Sequence, residues 1–428
     1  MKTFRTQASS LGWAKPRRFS SVARLHVASV PRASLSPTQL VAIPIDGKTV
    51  DFSAVLLRDA CSCPACVHHS TNQRLFSVAD IPRNVSAQLV ETNTAQDIVT
   101  VTWKNDVPGF DESHQTQLSM TKLRQLRSIG KPTGPEVFPS QALWTTQRLE
   151  LPDYDYQTYL KDDEMLYDVI KQLRVYGLAF VNNIPGLESS LATIATRMGP
   201  IKDTFYGQTW DVRTVPQANN AAYTSSDLGF HTDLLYFNNP PHIQLLHCIQ
   251  SASTGGASVF ADAYRAAVDL FNTDPDAFDT LSTVPVNFHY NHPNDNVYRT
   301  TKPVIDLRPL RIGGKVNWGP PFSAPFSNHR DPMEYTEPAL SALNRKVEEW
   351  HEAAVKLNAL LQRQEYLYER KMNHGECVLF DNTRTLHSRR GFDAEDVGKP
   401  RWLRGTYVDK DPYHSKFRVL QNKFRETE

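Results

Sequence analysis

Residues 228–267 read LGFHTDLLYFNNPPHIQLLHCIQSASTGGASVFADAYRAA, and the architecture turns on them. Two runs inside this stretch, HIQLLHCI (242–249) and GASVFAD (256–262), are short, apolar and bounded by turn residues, which predicts strands. Working outward, GECVLFD (375–381) and LRGTYVD (403–409) repeat the pattern. Upstream, DEMLYDVIKQLRVYGLAFVNNIPG (163–186) sets Leu166, Val169, Ile170 and Leu173 at helical spacing until Gly177 breaks into a strand at LAFV. One long helix, residues 337–364, interrupts the series. Short strands joined by turns, rather than by regular crossover helices, predict a mainly β protein with helices, a sandwich or barrel rather than a doubly wound sheet.

The same stretch carries the first chemical signal, His231-Thr232-Asp233. On an extended segment, residues i and i+2 point to one face, so an imidazole and a carboxylate can reach one metal. A second imidazole has to come from elsewhere. His387, expected just past the strand in GECVLFDNTRTLHSRRGF (375–392), is the best placed. Two histidines and one carboxylate leave three adjacent positions open on an octahedral iron, two for a bidentate 2-oxo acid and one for O₂. The far carboxylate of such an acid needs a cation, and Arg401 or Arg404 could supply a bidentate fork. A lone HxD is more often structural or at the surface, so the weight lies in the whole set of His231, Asp233, His387 and an arginine.

The bulk numbers bound the answer. With 428 residues, 47 Lys plus Arg and 46 Asp plus Glu, the chain has the size for one or two folded domains and no charge excess for coating nucleic acid or an acidic membrane. No run of 18 apolar residues marks a membrane span. No acid precedes Asp46, whereas Lys2, Arg5, Lys15, Arg17, Arg18, Arg24 and Arg32 do. With RRFSSVARLHVASV (17–30) as a basic amphipathic segment, residues 1–40 read as a mitochondrial transit peptide, the alternative being a basic tail in a cytoplasmic protein.

Residues 41–135 read as a small β-rich domain and residues 136–428 as the larger one, with the Pro-rich KPTGPEVFPSQALW (131–144) between them. The front domain opens with VAIPIDGKTVDFSAVLLRDAC (41–61), a hairpin region, followed by a strand at DIVTVTW (97–103) and a helix at MTKLRQLRSIG (120–130). Of five cysteines, Cys61, Cys63 and Cys66 are bunched as C-x-C-x-x-C, while Cys248 and Cys377 stand alone. That is a poor disulfide framework and a good start for a tetrahedral zinc, which three thiolates and one histidine would close. Candidates for the histidine are His68, His69 and His114.

Taken together, residues 228–267 and 375–392 resemble the core of taurine-dioxygenase-type 2-oxoglutarate oxygenases. More narrowly, nearly everything after the leader is similar to the γ-butyrobetaine and trimethyllysine dioxygenase family. The resemblance implies a double-stranded β-helix (jelly-roll) core behind a small zinc-binding domain, with Fe(II), 2-oxoglutarate and ascorbate support. It implies His231, Asp233 and His387 as iron ligands, Arg401 as the 2-oxoglutarate arginine, and Ser258 as a looser match to a second group on the same carboxylate. It selects His114, a short way past the VTW strand, as the fourth zinc ligand. That zinc would then be a closed, structural site, and the expected assembly is a homodimer.

The family's substrates carry a trimethylammonium group, which donates no hydrogen bond and is best held by aromatic faces. Alone, Tyr206, Trp210, Tyr223 and Tyr407 would more readily be core residues; the resemblance assigns them to an aromatic cage. Asn220, where trimethyllysine enzymes resemble DTAYT, suits a bare carboxylate better than an α-ammonium. Asn317, in KVNWG (315–319), is a thinner match to a carboxylate grip, and GPPFSAPFSNHRDP (319–332) departs from the family's asparagine-rich run. The first expectation is hydroxylation of γ-butyrobetaine to L-carnitine. The alternatives are trimethyllysine, another amine or a secondary metabolite, and a catalytically inactive binding protein.

Overall fold

The computed structural model describes residues 40–128, 138–214, 221–306, 314–326, 337–393 and 400–425. They group into two compact units, divided at Pro132/Thr133. The leader reading and Asn220 lie outside the described residues. Among the described residues, no helix is long and apolar enough to cross a membrane.

The front unit is built from a hairpin, β1 (Leu40–Ile45) with β2 (Lys48–Ser53), and a three-stranded antiparallel sheet, β3 (Ser86–Asn93), β4 (Ile98–Lys104) and β5 (Gln115–Ser119). The hairpin turns on Asp46-Gly47, both at positive φ (52° and 74°), the two-residue turn that fits the twist of paired strands. The stretch expected to be wholly hairpin ends differently: Ala54–Asp59 is a helix, α1, because Leu57 and Ala54 drop into the core one turn apart. Helix α2 (Met120–Arg127) follows β5 and buries Leu123. Alternation along β1 and β4 sends Val41, Ile43, Ile45, Val99, Val101 and Trp103 into one core.

The larger unit starts with β6 (Asp153–Asp155), α3 (Tyr156–Lys161), α4 (Asp163–Tyr176), β7 (Leu178–Asn182), α5 (Glu188–Met198), β8 (Trp210–Val212) and β9 (Leu228–His231). It continues with β10 (Ile243–Gln250), β11 (Ser258–Asp262), α6 (Ala263–Thr273), α7 (Pro275–Thr283), and the hairpin β12 (Pro285–His292) and β13 (Asn296–Pro303). Short strands β14 (Ile305–Asp306), β15 (Lys315–Val316) and β16 (Ser323–Ala324) precede the long helix α8 (Glu337–Leu361). Last come β17 (Tyr368–Arg370), β18 (Cys377–Asp381), β19 (Thr385–Arg389), β20 (Trp402–Val408) and α9 (Lys410–Arg425). Helices α6 and α7 and the β12–β13 hairpin extend the helical insert that the sequence shows as one helix.

Two sheets make the jelly roll: β6-β7-β18-β10-β20-β8 and β17-β11-β19-β9, antiparallel except for the β6–β7 pair. Strand alternation sorts the side chains. On β10, Ile243 and Leu245 pack under Leu166, Ile170 and Leu173 of α4 and Phe417 of α9. Leu246 instead faces Phe260 of β11 across the sandwich. On β11 and β19, Val259, Ala261 and Leu386 pack outward in one cluster with Leu270, Leu281 and Leu357 of α6, α7 and α8. Both faces of these strands are therefore covered, which is why they read as continuous apolar runs; each fully buried leucine contributes about 1.5–3 kcal/mol. A buried ion pair ties the sandwich to α4: Arg384 Nη2 meets Asp262 Oδ2 at 2.8 Å, and Nη1 donates to the Val175 carbonyl at 2.7 Å.

Candidate active site and a second metal-type centre

The open end of the sandwich gathers His231, Asp233 and His387, whose ligand atoms all lie within 4.8 Å of one another. His231 closes β9 and stands opposite His387 in the ladder, ring centroids 4.1 Å apart. His387 therefore sits inside β19, not just past a strand. The pairings His387↔His231 and Arg389↔Leu228 set three steps on β9 against two on β19, a β-bulge of the kind that re-aims a side chain beside a site. The bulge brings the Gly229 carbonyl to His231 Nδ1 at 2.9 Å, which leaves Nε2 facing Asp233.

Asp233 does not continue the strand, as the i, i+2 argument supposed. The chain turns after His231, with Leu234 at φ 56°, and the turn delivers the carboxylate. Asn382 clamps that turn: its Oδ1 accepts from the Asp233 amide at 2.9 Å, and its Nδ2 donates to the Asp233 and Pro241 carbonyls at 3.2 and 3.1 Å. Asp233 Oδ1 lies 3.3 Å from His231 Nε2 and 3.9 Å from His387 Nε2. Ligand atoms bonded cis at about 2.1 Å would be about 3.0 Å apart, so a small contraction closes this set around an octahedral cation. Burial alone would raise the Asp233 carboxyl, but the His231, His387 and Tyr407 contacts hold it well below the usual carboxylate range. Burial, with His231 close by, pushes His387 down to about 3, so the imidazole is neutral and free to bind a metal.

One cavity joins this triad to most of the other expected residues. Arg401, Ser258, Tyr206, Trp210, Tyr223 and Tyr407 all line it. Arg401 is buried; burial and the neighbouring Arg389 lower its pKa to about 10, so it stays charged at neutral pH. Its Cδ and Nε lie 3.2 Å from where a Cβ on Gly256 would stand, so a glycine at φ 72° makes room for the guanidinium. Arg404, the other candidate, is engaged with Asp211 at 2.8 Å and Glu188 at 3.1 Å and does not line the cavity. Ser258 opens β11, its Oγ 3.9 Å from Met372 Sδ.

The aromatic side chains form a wall. Trp210 stacks on Tyr407 at 4.2 Å between centroids and an interplanar angle of 28°, and Tyr206 lies 6.4 Å from Trp210. The indole also lies against Gly405, where an added Cβ would fall 2.5 Å from two ring carbons. Tyr407 has a second contact: its hydroxyl donates to Asp233 Oδ2 at 2.7 Å. Asn317 is turned away, its Nδ2 donating to the Pro303 carbonyl at 2.8 Å, and Phe322 of the departing GPPF segment lines the cavity.

Sequence reasoning passed over Asn382, Arg389, Tyr236 and Phe322. Asn382 and Arg389 stood in the quoted 375–392 stretch, in the polar loop before β19 and in the Arg-Arg pair after His387, but nothing local shows which backbone groups 149 or 167 residues away they will bond.

The front unit holds a different centre. Cys61, Cys63, Cys66 and His114 converge, with His114 Nε2 at 3.6, 3.5 and 3.4 Å from the three sulfurs. Tetrahedral bonds of about 2.3 Å to sulfur and 2.0–2.1 Å to nitrogen require about 3.6 Å between S and N, so the donor set fits zinc. His114 Nδ1 donates to Asp106 Oδ2 at 2.7 Å, Arg58 pairs with the other carboxylate oxygen, and Arg58 Nη1 donates to Cys66 Sγ at 3.3 Å. Arg58 is fully buried between Phe76 and Phe110, its Cζ 4.8 and 4.6 Å from their ring centroids.

Known proteins share both parts. Residues 136–407 match the Taurine catabolism dioxygenase TauD, TfdA family, and residues 38–118 match the Gamma-butyrobetaine hydroxylase-like N-terminal family. The chain is 33% identical to Dioxygenase str8 of Strobilurus tenacellus over 89% of its own length and 86% of that protein's. It is 29% identical to the Gamma-butyrobetaine dioxygenase of Pseudomonas sp. (strain AK-1), covering 88% and 92% of the two chains. It is 27% identical to the mitochondrial Trimethyllysine dioxygenase of Gallus gallus, covering 86% and 83%. The family's chemistry uses Fe(II), 2-oxoglutarate and O₂ on a small-molecule substrate. The chain belongs to the TauD, TfdA family and is a 2-oxoglutarate-dependent dioxygenase.

Proposed function

We propose that this enzyme hydroxylates a trimethylammonium acid, with γ-butyrobetaine, converted to L-carnitine in carnitine biosynthesis, as the first candidate. One observation carries the reading: a single cavity holds the His231–Asp233–His387 triad, Arg401 and the aromatic faces of Tyr206, Trp210, Tyr223 and Tyr407. In this reading the triad holds Fe(II), and Arg401 with Ser258 holds the far carboxylate of 2-oxoglutarate. Iron held there would supply the oxidising chemistry for inserting one atom of O₂ into a C–H bond, the other atom entering succinate as 2-oxoglutarate loses CO₂. The chain's own residues do the rest. Arg401 fixes the cosubstrate by a charged fork, the aromatic wall receives the quaternary ammonium, and the depth of that wall decides which carbon faces the metal. Asn220 is assigned to the substrate's carboxylate end. Ascorbate keeps the iron ferrous, and Cys61, Cys63, Cys66 and His114 hold a structural zinc.

A second reading has its own support. Asn317 is committed to Pro303, and Phe322 lines the cavity, so the wall there offers an apolar ring in place of an amide. That favours another amine or a secondary metabolite without a carboxylate at that end over both butyrobetaine and trimethyllysine, which each carry one; trimethyllysine stays the sister alternative on family grounds. The same proposal divides the chain into a mitochondrial leader (1–40), a zinc-binding domain (41–135) that contributes to a homodimer, and the dioxygenase domain (136–428).

The deciding experiment is purified enzyme with Fe(II), 2-oxoglutarate and ascorbate, offered γ-butyrobetaine and trimethyllysine separately, with products read by mass. A mass gain of one oxygen on butyrobetaine, with matching succinate, is the expected result. Oxygen on trimethyllysine alone would select the sister activity. Oxygen on neither would remove both acids and leave the second reading's other amines.

A further inference from the structure

Tyr223 closes a one-turn helix, Ala221–Tyr223, too short to hold itself in place by its own hydrogen bonds. Something else has to hold it at the cavity. The side chain that does so is Arg389, two residues beyond His387 on β19. Its Nη1 donates to the Ala222 carbonyl at 2.9 Å, and its Nη2 donates to the carbonyls of Thr224 and Ser226, both at 2.7 Å. Three carbonyls within five residues thus converge on one guanidinium. The residues after it finish the clasp: the Gly391 amide donates to Asp227 Oδ1 at 2.6 Å and the Phe392 amide to the Ser225 carbonyl at 3.0 Å. On its other side the clasp meets the turn behind Arg401, where the Gly256 amide donates to the Gly391 carbonyl at 3.1 Å.

The chemistry of this arrangement is specific. Arg389 is 6% exposed and lines the same cavity as Arg401, so burial works against its charge. A buried cation needs hydrogen-bond partners, and the two terminal nitrogens of this planar fork serve three carbonyls at once, while Nε, also buried, has none among the described residues. A lysine ammonium offers the charge from a single point and cannot reproduce the fork. Backbone carbonyls, unlike a carboxylate side chain, cannot shift without moving the loop, so these bonds fix the loop itself.

We propose that Arg389 is a positioning residue: it locks the 222–226 segment, and with it Tyr223, to the strand that bears His387, so that the acceptor wall and the metal-binding strand move as one body. The placement of Tyr223 in the acceptor pocket rests on the function proposed above; the lock itself does not. Loss of the lock leaves the triad and Arg401 intact, so 2-oxoglutarate is still consumed while the amine is held loosely, and the two half-reactions separate.

The test uses full-length holoenzyme carrying Arg389→Lys or Arg389→Gln. Each broken charged hydrogen bond is worth enough that amide exchange across residues 221–228 should quicken about tenfold or more, with β10 unchanged. With γ-butyrobetaine as probe, KM for the amine should rise about tenfold and hydroxylated product per succinate should fall below about half, while KM for 2-oxoglutarate stays within about twofold. Unchanged exchange in residues 221–228 would overturn the lock, and so would faster exchange spread equally over β10, which marks general loosening. If the unsubstituted enzyme ignores butyrobetaine, the exchange measurement still decides the lock, and only the proposed substrate fails.

Discussion

The two metal-type centres of this chain differ both in their ligands, three thiolates and an imidazole against two imidazoles and a carboxylate, and in the space beside them. In the front unit, Cys61, Cys63, Cys66 and His114 converge as a set that could fill all four corners of a tetrahedron, and Asp106 and Arg58 bond to His114 and Cys66. In the larger unit, His231, Asp233 and His387 occupy one side only, and a cavity with two arginines and a ring of aromatic side chains occupies the other. A metal held by the first set would have no open position, and one held by the second would keep three. Ligand type, ligand count and the space beside the ligands together set the two centres apart.

That contrast can be broken most sharply by paired metal analysis. His231→Ala should bring 2-oxoglutarate turnover to background and lose iron with zinc retained, while Cys63→Ser should lose zinc and keep the iron-binding set. Both metals leaving together in either variant would mean the two centres are not independent. The next largest effect concerns what holds the open centre in place. Arg384→Met leaves Asp262 buried without its partner and should destabilise the larger unit by about 3–5 kcal/mol in chemical denaturation. A loss under about 1 kcal/mol would show that the Val175 and Asp262 contacts contribute little. The smallest effect sharpens the contrast within one residue. Tyr407→Phe keeps the ring on Trp210 and removes the bond to Asp233, so iron affinity should fall about 10–100-fold while the amine KM moves less than about threefold. The reverse pattern would make Tyr407 a wall residue whose hydroxyl is incidental.

Ligand-type residues were legible because few side chains bind metals and their spacing is short-range: C-x-C-x-x-C and His-x-Asp are readable within six residues. His387 was legible from its order after a strand-like run, whereas order left Arg401 and Arg404 level and only the family resemblance chose Arg401. The strands were legible where both faces are buried, as in HIQLLHCI. The rest depends on contacts between distant segments. Asn382 matters because β18 ends beside the turn after β9, a fact of topology with no local pattern. Phe322 enters the cavity because a Pro-Pro turn at 320–322 aims it there, and the same sequence reads simply as a loop. Helices α6 and α7 went unread because their apolar faces are only complete against α8.

Gly405 carries a consequence of its own. It touches no ligand in any reading of the site, yet the indole of Trp210 rests on it with no space to spare. A single methyl there has to displace the indole, which lines the cavity, so the space available to a substrate is adjustable at a residue that does not line it. A lineage of such enzymes could thereby change the size of the molecule it accepts while every residue that faces that molecule stays the same, and the same backdoor is open to anyone redesigning the enzyme.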